Sequence, residues 1–204
     1  MLNMITMPLG AYQTNCYILW EEGSEKCAVI DPGDEAQQVL LRVKGLGKTV
    51  EAILLTHGHF DHVGAVRQLA AETGCRIWMA QGDYSQPKTR ENDFFYPLHD
   101  WDCAEVNFCE EAQVIQAGGL SFTVMHTPGH TWGCCCYVCQ GHIFSGDTLF
   151  QGSCGRTDLP GGDWKTIIQS LKRLAAMEGD YQVHPGHGPS TTLEEERMYN
   201  PYMR

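Results

Sequence analysis

Short apolar runs alternate with stretches of helical period along the 204 residues of the chain, and the alternation persists from end to end. Residues 16–20, 27–30, 52–56, 76–80, 122–126, 134–139, 142–144 and 181–184 are rich in Val, Ile, Leu, Cys and aromatic side chains and read as strands. Several are apolar at nearly every position, the pattern of a sheet covered on both faces. Apolar positions three and four apart predict helices over 35–44, 63–73 and 164–177, with Gly74 and Gly179 as stops, and a short one over 193–198. In the third helix Trp164, Ile167, Ile168, Leu171, Leu174 and Ala175 form a stripe that packs on a core. Residues 83–112 fit neither period and carry Tyr84, Phe94, Phe95, Tyr96 and Trp101 among polar residues. They read either as a loop over a site or as a packed insertion.

Strands and helices alternate through both halves, so the fold class is α/β, with layered sheets and helices outside. No linker, repeat or low-complexity stretch divides the chain, and its length fits one domain over residues 1–204. Composition then narrows the function. Fourteen Lys and Arg stand against 25 Asp and Glu, a net charge of −11, with no basic cluster to grip a phosphate backbone. Nucleic acid is excluded as a partner on that ground. No segment approaches the roughly 20 apolar residues of a membrane span, and residues 1–10 lack the pattern of a signal peptide, so a cytoplasmic location is expected.

Nine His and ten Cys are the unusual counts. In the run Gly133-Cys134-Cys135-Cys136-Tyr137-Val138-Cys139, strand alternation sends Cys134 and Cys136 to one face and Cys135, Tyr137 and Cys139 to the other. The sulfurs do not converge on a metal. These cysteines, with Cys16, Cys27, Cys75, Cys103, Cys109 and Cys154, read as small buried hydrophobes.

The histidines read differently. Thr56-His57-Gly58-His59-Phe60-Asp61-His62 follows a buried strand and precedes a helix. Four ligand-type side chains in six positions cannot all face one way on a regular element. They must splay from a loop, where two metal ions can share them. Further ligands are expected at His130 in T-P-G-H-T-W-G, Asp147 in S-G-D-T-L-F and His187 in H-P-G-H-G-P, each beside a Gly that lets the backbone turn. His99, His126, His142 and His184 lack such settings and read as structural or surface residues, with a supporting role open to His184 through its nearness to His187.

The set His57, His59, Asp61, His62, His130, Asp147 and His187 resembles that of the metallo-β-lactamase superfamily, over essentially the whole chain. Asn15-Cys16-Tyr17 and Val29-Ile30-Asp31-Pro32-Gly33 resemble its opening strands. Gly146-Asp147-Thr148-Leu149-Phe150 with Cys154-Gly155-Arg156-Thr157-Asp158 resembles its glyoxalase II group, and residues 185–192 with Glu195-Glu196-Arg197 and Asn200-Pro201 resemble the short bacterial members. The resemblance implies a four-layer αββα sandwich with metals at one edge between two sheets. His57, His59 and His130 would hold one metal, Asp61, His62 and His187 the other, Asp147 would bridge them, and Asp31 would support the ligands. The metals would be zinc first, with iron or manganese as alternatives.

The expected activity is hydrolysis of a small-molecule thioester such as S-lactoylglutathione, by a hydroxide bridging two metal ions and oriented by Asp61. A thiol of pKa about 8.5 leaves as thiolate without a dedicated acid. Arg156 matches the group's basic residue near the glutathionyl carboxylate, and its competing reading is a surface pair with Asp158. Longer members carry a C-terminal helical domain that supplies further thiol-binding groups, whereas this sequence ends at Arg204. The main rival is a mononuclear-iron persulfide dioxygenase, which shares the first motif, the bridging Asp and a similar C-G-R-T-D but differs around the last His. A lactonase or other esterase on the same site is a further alternative. Exported β-lactamases carry Cys or Ser where Asp147 stands, and flavodiiron oxygen reductases carry Glu in place of His59. A structural zinc module, closed by four ligands, does not call for seven.

Overall fold

A computed structural model describes residues 1–84, Phe94 and residues 105–204. The first sheet contains β1 (Leu2–Leu9), β2 (Thr14–Glu21), β3 (Lys26–Ile30), β4 (Thr49–Leu54), β5 (Arg76–Met79) and β6 (Val106–Phe108), in that spatial order. The β1–β2–β3 part is antiparallel and β3 to β6 are parallel. Helix α1 (Ala36–Gly45) crosses from β3 to β4, and α2 (Phe60–Val63) with α3 (Val66–Thr73) crosses from β4 to β5. A single turn, α4 (Gln81–Tyr84), follows β5.

The second sheet is built from β7 (Val114–Ala117), β8 (Leu120–His126), β9 (Cys135–Cys139) and β10 (His142–Gly146). A small pair, β11 (Leu149–Phe150) with β12 (Ser153–Cys154), and α5 (Trp164–Ala175) follow. Then β13 (Gln182–Pro185), parallel to β10, and β14 (Thr191–Thr192) complete the order β14-β13-β10-β9-β8-β7, and α6 (Leu193–Tyr199) follows.

Three apolar layers separate four structural ones, as the αββα expectation requires. Val39 and Val43 of α1 and Val66 and Leu69 of α3 pack on Ile18, Val29, Ile53 and Ile77 of the first sheet. The opposite face of that sheet, with Tyr17, Leu19, Ile30 and Leu54, meets Phe122, Val124, Tyr137 and Phe144 of the second. Beyond it Ile143 and Val183 lie under Ile167, Leu171 and Leu174 of α5, all fully buried. Each such side chain contributes roughly 1.5–3 kcal/mol by leaving water. Asp163 caps α5 by accepting the Thr166 N–H at 2.7 Å, which adds about 1 kcal/mol.

The cysteine alternation holds within β9. Cys135, Tyr137 and Cys139 face the layer between the sheets, and Cys136 faces α5. Cys154 departs from the expected core position and is only half-buried, on β12.

Several boundaries differ from the hydrophobic pattern. The strand expected over 52–56 starts at Thr49 and stops at Leu54, which frees Thr56 to turn. The helix expected over 63–73 is two pieces broken at Gly64, where a Cβ would stand 2.3 Å from the Gly33 carbonyl oxygen. The helix expected to Met177 ends at Ala175. The edge strand β1 was not evident, because its positions are mostly half-buried and it contains Pro8, which an edge tolerates. Of the stretch 83–112, the described parts form the end of α4, β6 and the approach to β7. A loop over the site, with His99, Phe95, Tyr96, Trp101 and Cys103, falls in positions that lie outside the described residues.

Candidate metal centre

The ends of β3 and β4 prepare the first motif. Asp31 closes β3 with φ 48°, in the left-handed region. Its Oδ1 accepts the Thr56 N–H at 2.8 Å and its Oδ2 accepts the Thr56 hydroxyl at 2.6 Å. Two residues on, a Cβ at Gly33 would stand 1.7 Å from the Asp61 carbonyl oxygen, so only glycine lets the D-P-G turn pack against α2. This turn therefore clamps both ends of residues 56–62.

Outer hydrogen bonds then assign the imidazole tautomers. The Thr56 proton is committed to Asp31, so the hydroxyl can only accept from His57 Nδ1, 3.1 Å away. His62 Nδ1 lies 3.0 Å from Asp31 Oδ2, His130 Nδ1 2.8 Å from the Arg156 carbonyl oxygen, and His187 Nδ1 3.2 Å from the Tyr12 carbonyl oxygen. Each acceptor takes the Nδ1 proton and leaves an Nε2 lone pair pointing inward.

The inward atoms form two groups. His59 Nδ1 is 3.1 Å from His57 Nε2 and 3.0 Å from His130 Nε2. His62 Nε2 is 3.3 Å from His187 Nε2, and Asp61 Oδ2 lies 3.3 Å from His187 Nε2 and 3.8 Å from His62 Nε2. Asp147, just beyond β10, reaches both groups. Its Oδ1 is 3.4 Å from His62 Nε2, and its Oδ2 is 3.6 Å from both His130 Nε2 and His187 Nε2. The structure thus brings together all seven side chains expected from the sequence, as the trios His57/His59/His130 and Asp61/His62/His187 with Asp147 between them.

Lone pairs three ångströms apart repel unless a cation lies among them. Burial pushes His57 well below its ordinary value, assisted by His62, His59 and His130, and takes His59 down to about 3. Protons therefore do not serve His57 and His59. Burial opposes charge on Asp147 too, yet His62, His130 and His187 hold its carboxyl below the usual carboxylate range. Burial likewise disfavours the charged form of His62 but is outweighed by Asp147 and Asp31, which push it up. The cluster demands positive charge, and the buried Asp147 Oδ1 accepts no hydrogen bond. Divalent ions satisfy both requirements with this mixed imidazole and carboxylate donor set, whichever of zinc, iron or manganese is bound. Gly186 keeps the place open, since a Cβ there would stand 2.2 Å from Asp147 Oδ1 and 2.6 Å from His62 Cε1.

A cavity of about 410 Å³ lies over the cluster, rimmed by Tyr12, Phe60, Phe94 and Phe150. Arg156 is on its wall, and its Nε and Nη2 donate to Asp158 at 2.7 and 2.6 Å. Arg156 is therefore paired with Asp158 and also lines the cavity. His184 instead bonds Ser190 and His142 and stacks on Phe144, away from the ligand atoms.

Sequence reasoning missed Asp83. This carboxylate is 1% exposed and accepts the Gly58 N–H at 2.9 Å, the Thr131 hydroxyl at 2.7 Å and the Gly133 N–H at 2.7 Å. It ties the loop of His57 and His59 to the loop of His130. Thr14, whose hydroxyl donates to Asp61 Oδ2 at 3.1 Å, was missed too. For Asp83 the available signal was slight, a lone acid four residues after the end of an apolar strand.

A family model described as the metallo-beta-lactamase superfamily matches residues 9–187. The chain is 34% identical to the hydroxyacylglutathione hydrolase GloC of Haemophilus influenzae, over 99% of this chain and 98% of that protein. Among solved structures it is similar to the BLEG-1 B3 metallo-beta-lactamase, with TM-score 0.87 and 33% identity over 100% of this chain and 99% of that one. TTHA1623 in a di-iron-bound form gives TM-score 0.82 and 37% identity, covering 97% and 99%. ETHE1 from Myxococcus xanthus gives TM-score 0.83 and 26% identity, covering 98% and 83%.

Proposed function

The chain belongs to the metallo-β-lactamase superfamily, and we propose that it is a thioester hydrolase of the glyoxalase II type, acting on a small molecule such as S-lactoylglutathione. The observation that carries this reading is the arrangement of the two trios about the carboxylate Asp147, where a donor set for two divalent ions lies beneath a single cavity. The likeness to GloC over nearly the full length of both chains supports the substrate class. Zinc is proposed first, and the di-iron form of TTHA1623 keeps iron as the second choice.

Bound divalent ions supply Lewis-acid polarisation of the carbonyl and an acidified water. The chain supplies the rest. Burial opposes charge on Asp61, but His187 and His62 outweigh it and hold its carboxyl below the usual carboxylate range. Thr14 donates to its Oδ2, which steadies the carboxylate at the cavity wall, where it orients the attacking water. The aromatic rim of Tyr12, Phe60, Phe94 and Phe150 holds the acyl chain and limits water. Arg156 presents the guanidinium N–H groups left over from Asp158 to a substrate carboxylate. The departing thiolate needs no proton donor, which an amine would. Reduced cysteines and free thiol carriers both persist in the cytoplasm, the compartment proposed for this reaction. None of the described helices is long and apolar enough to cross a membrane.

The test is metal stoichiometry on purified protein together with turnover of S-lactoylglutathione, lactones and glutathione persulfide. Two metal equivalents with thiol release support the proposal, and Asp147→Ala should remove most bound metal and lower hydrolysis by orders of magnitude. The similarity to ETHE1 favours one second reading, a mononuclear-iron persulfide dioxygenase. Oxygen uptake with sulfite release, on one iron per chain, would replace the hydrolase by that enzyme.

A further inference from the structure

Asn15 is a buried polar side chain outside the metal-ligand set. It lies on β2 of the first sheet and is 6% exposed, whereas the ligand His187 follows β13 of the second. Its amide spans the gap between the sheets. Nδ2 donates to the Pro185 carbonyl oxygen at 3.0 Å and to the Gly188 carbonyl oxygen at 2.9 Å, so both protons of one NH₂ group are used, one on either side of His187. The Asn15 backbone N–H donates to the Gly186 carbonyl oxygen at 2.7 Å. One residue thus holds the carbonyls of positions 185, 186 and 188 and leaves the His187 side chain to project. Two positions along the strand, the Tyr17 hydroxyl also donates to the Pro185 carbonyl oxygen, at 2.6 Å.

The residues just before Asn15 extend this grip to the ligands themselves. The Tyr12 carbonyl oxygen accepts from His187 Nδ1 at 3.2 Å, and the Thr14 hydroxyl donates to Asp61 Oδ2 at 3.1 Å. Asp61 and His187 belong to the same trio. The other trio is tied from different places: His57 by Thr56, the backbone between His57 and His59 by Asp83, and His130 by the Arg156 carbonyl. Burial divides the two in the same way. His57, His59 and His130 are at most 4% exposed, whereas the His187 side chain is 31% exposed. An imidazole that open to water has rotamers to lose, and its place depends on how firmly its backbone is held.

We propose that Asn15 is a positioning residue for the second metal. By bracketing His187 from the opposite sheet, it sets the affinity of the site of Asp61, His62 and His187 with little effect on the site of His57, His59 and His130. The proposal rests on the two-metal reading above. Without the Asn15 amide, the Pro185 carbonyl keeps Tyr17 but the Gly188 carbonyl loses this donor, and the segment carrying His187 is freed on one side. His187 Nε2 then spends less time near Asp61 and Asp147. Outer partners of this kind change metal affinity by about 10–100-fold. A residue that only packed the two sheets together would lower stability without choosing between the metals.

The full chain is stripped of metal and titrated with cobalt(II), with visible absorption and equilibrium dialysis as the readouts. The parent should bind two equivalents. In Asn15→Ala one equivalent should bind as in the parent and the other about 10–100-fold more weakly. The spectrum of the retained ion should match that of His187→Ala loaded with one equivalent, which identifies the retained site as that of His57, His59 and His130. Tyr17→Phe removes one of two donors to Pro185 and should weaken the second ion less. Asn15→Asp keeps the side-chain volume if Asn15→Ala fails to fold, and its carboxylate has no N–H for either carbonyl, so the same selective loss is expected. In the unmodified metal-free protein the Asn15 amide should be protected from hydrogen exchange, because the hairpin holds the loop before any metal arrives. An unchanged second equivalent, equal weakening of both, or a rapidly exchanging Asn15 amide would overturn the proposal while the two-metal reading stands. A parent that binds a single equivalent would overturn that reading and this proposal with it.

Discussion

Asp83 should hold the metal centre together without touching a metal. Its two oxygens receive three buried donors, the Gly58 N–H, the Thr131 hydroxyl and the Gly133 N–H, and a Cβ on Gly133 would stand 2.7 Å from its carboxyl carbon. Asp83→Ala strands all three. A buried donor without a partner costs about 1–3 kcal/mol, and relaxation recovers some of that, so the loss should be roughly 3–6 kcal/mol. That is a large share of the 5–15 kcal/mol typical of a domain. Asp83→Asn separates the electrostatic part. Its one carbonyl oxygen can take the place of Oδ2 and keep Gly58 and Thr131, but its NH₂ then faces the Gly133 N–H. One donor is lost, for about 1–3 kcal/mol. Urea unfolding of chelated protein measures these differences. Metal titration of the folded variants should then show weaker binding at the site of His57, His59 and His130, with the site of Asp61, His62 and His187 little changed. Equal stability of Asp83→Ala and the parent, or equal weakening of both metal sites, would refute the tie between the two loops.

Three shorter tests probe other parts of the molecule. Gly186→Ala should cut metal stoichiometry, because its Cβ would overlap Asp147 Oδ1 at 2.2 Å; two equivalents bound at parental affinity would mean that the loop can simply move away. Burial, and next the neighbouring His142, takes His184 from 6.5 down to about 4. The unfolded chain gains that proton as pH falls through 6.5 and the folded chain only near 4, so the stability is complete above 6.5 and is lost across that window. The loss is roughly 3 kcal/mol at about 1.4 kcal/mol per unit. Chelated His184→Asn should show a correspondingly flatter stability profile from pH 7 to 4, and parallel profiles would count against it. Arg156→Ala should raise KM for a carboxylate-bearing thioester severalfold with kcat nearly unchanged, since the exposed Asp158 pair contributes little to folding. A fall in kcat at constant KM would instead tie Arg156 to the reacting atoms.

The elements that the hydrophobic pattern revealed are those whose environment is the same along their length. β3 and β4 are apolar on both faces because α1 and α3 cover one side and the second sheet the other, and α5 shows its stripe because one face alone meets Ile143 and Val183. The elements it concealed depend on contacts made once. β1 is an edge with mostly half-buried positions, β14 is two residues long, and the α2–α3 break exists because Gly64 must pass the Gly33 carbonyl.

The same distinction runs through the chemistry. His57, His59, Asp61 and His62 are legible because a loop at the end of a buried strand concentrates them, and His130, Asp147 and His187 because glycine beside each marks a forced turn. Asp83 carries no such mark. Two of its three partners are backbone N–H groups, which every residue but proline presents, so no side-chain pattern announces them. Cys135 and Cys136 show the limit from the other direction. Alternation correctly sends them to opposite faces, yet what each face meets depends on the layer packed against it. That is the first sheet for Cys135 and α5 for Cys136. Residue type and period specify which side chains share a face, and only the packing of the layers specifies what that face meets.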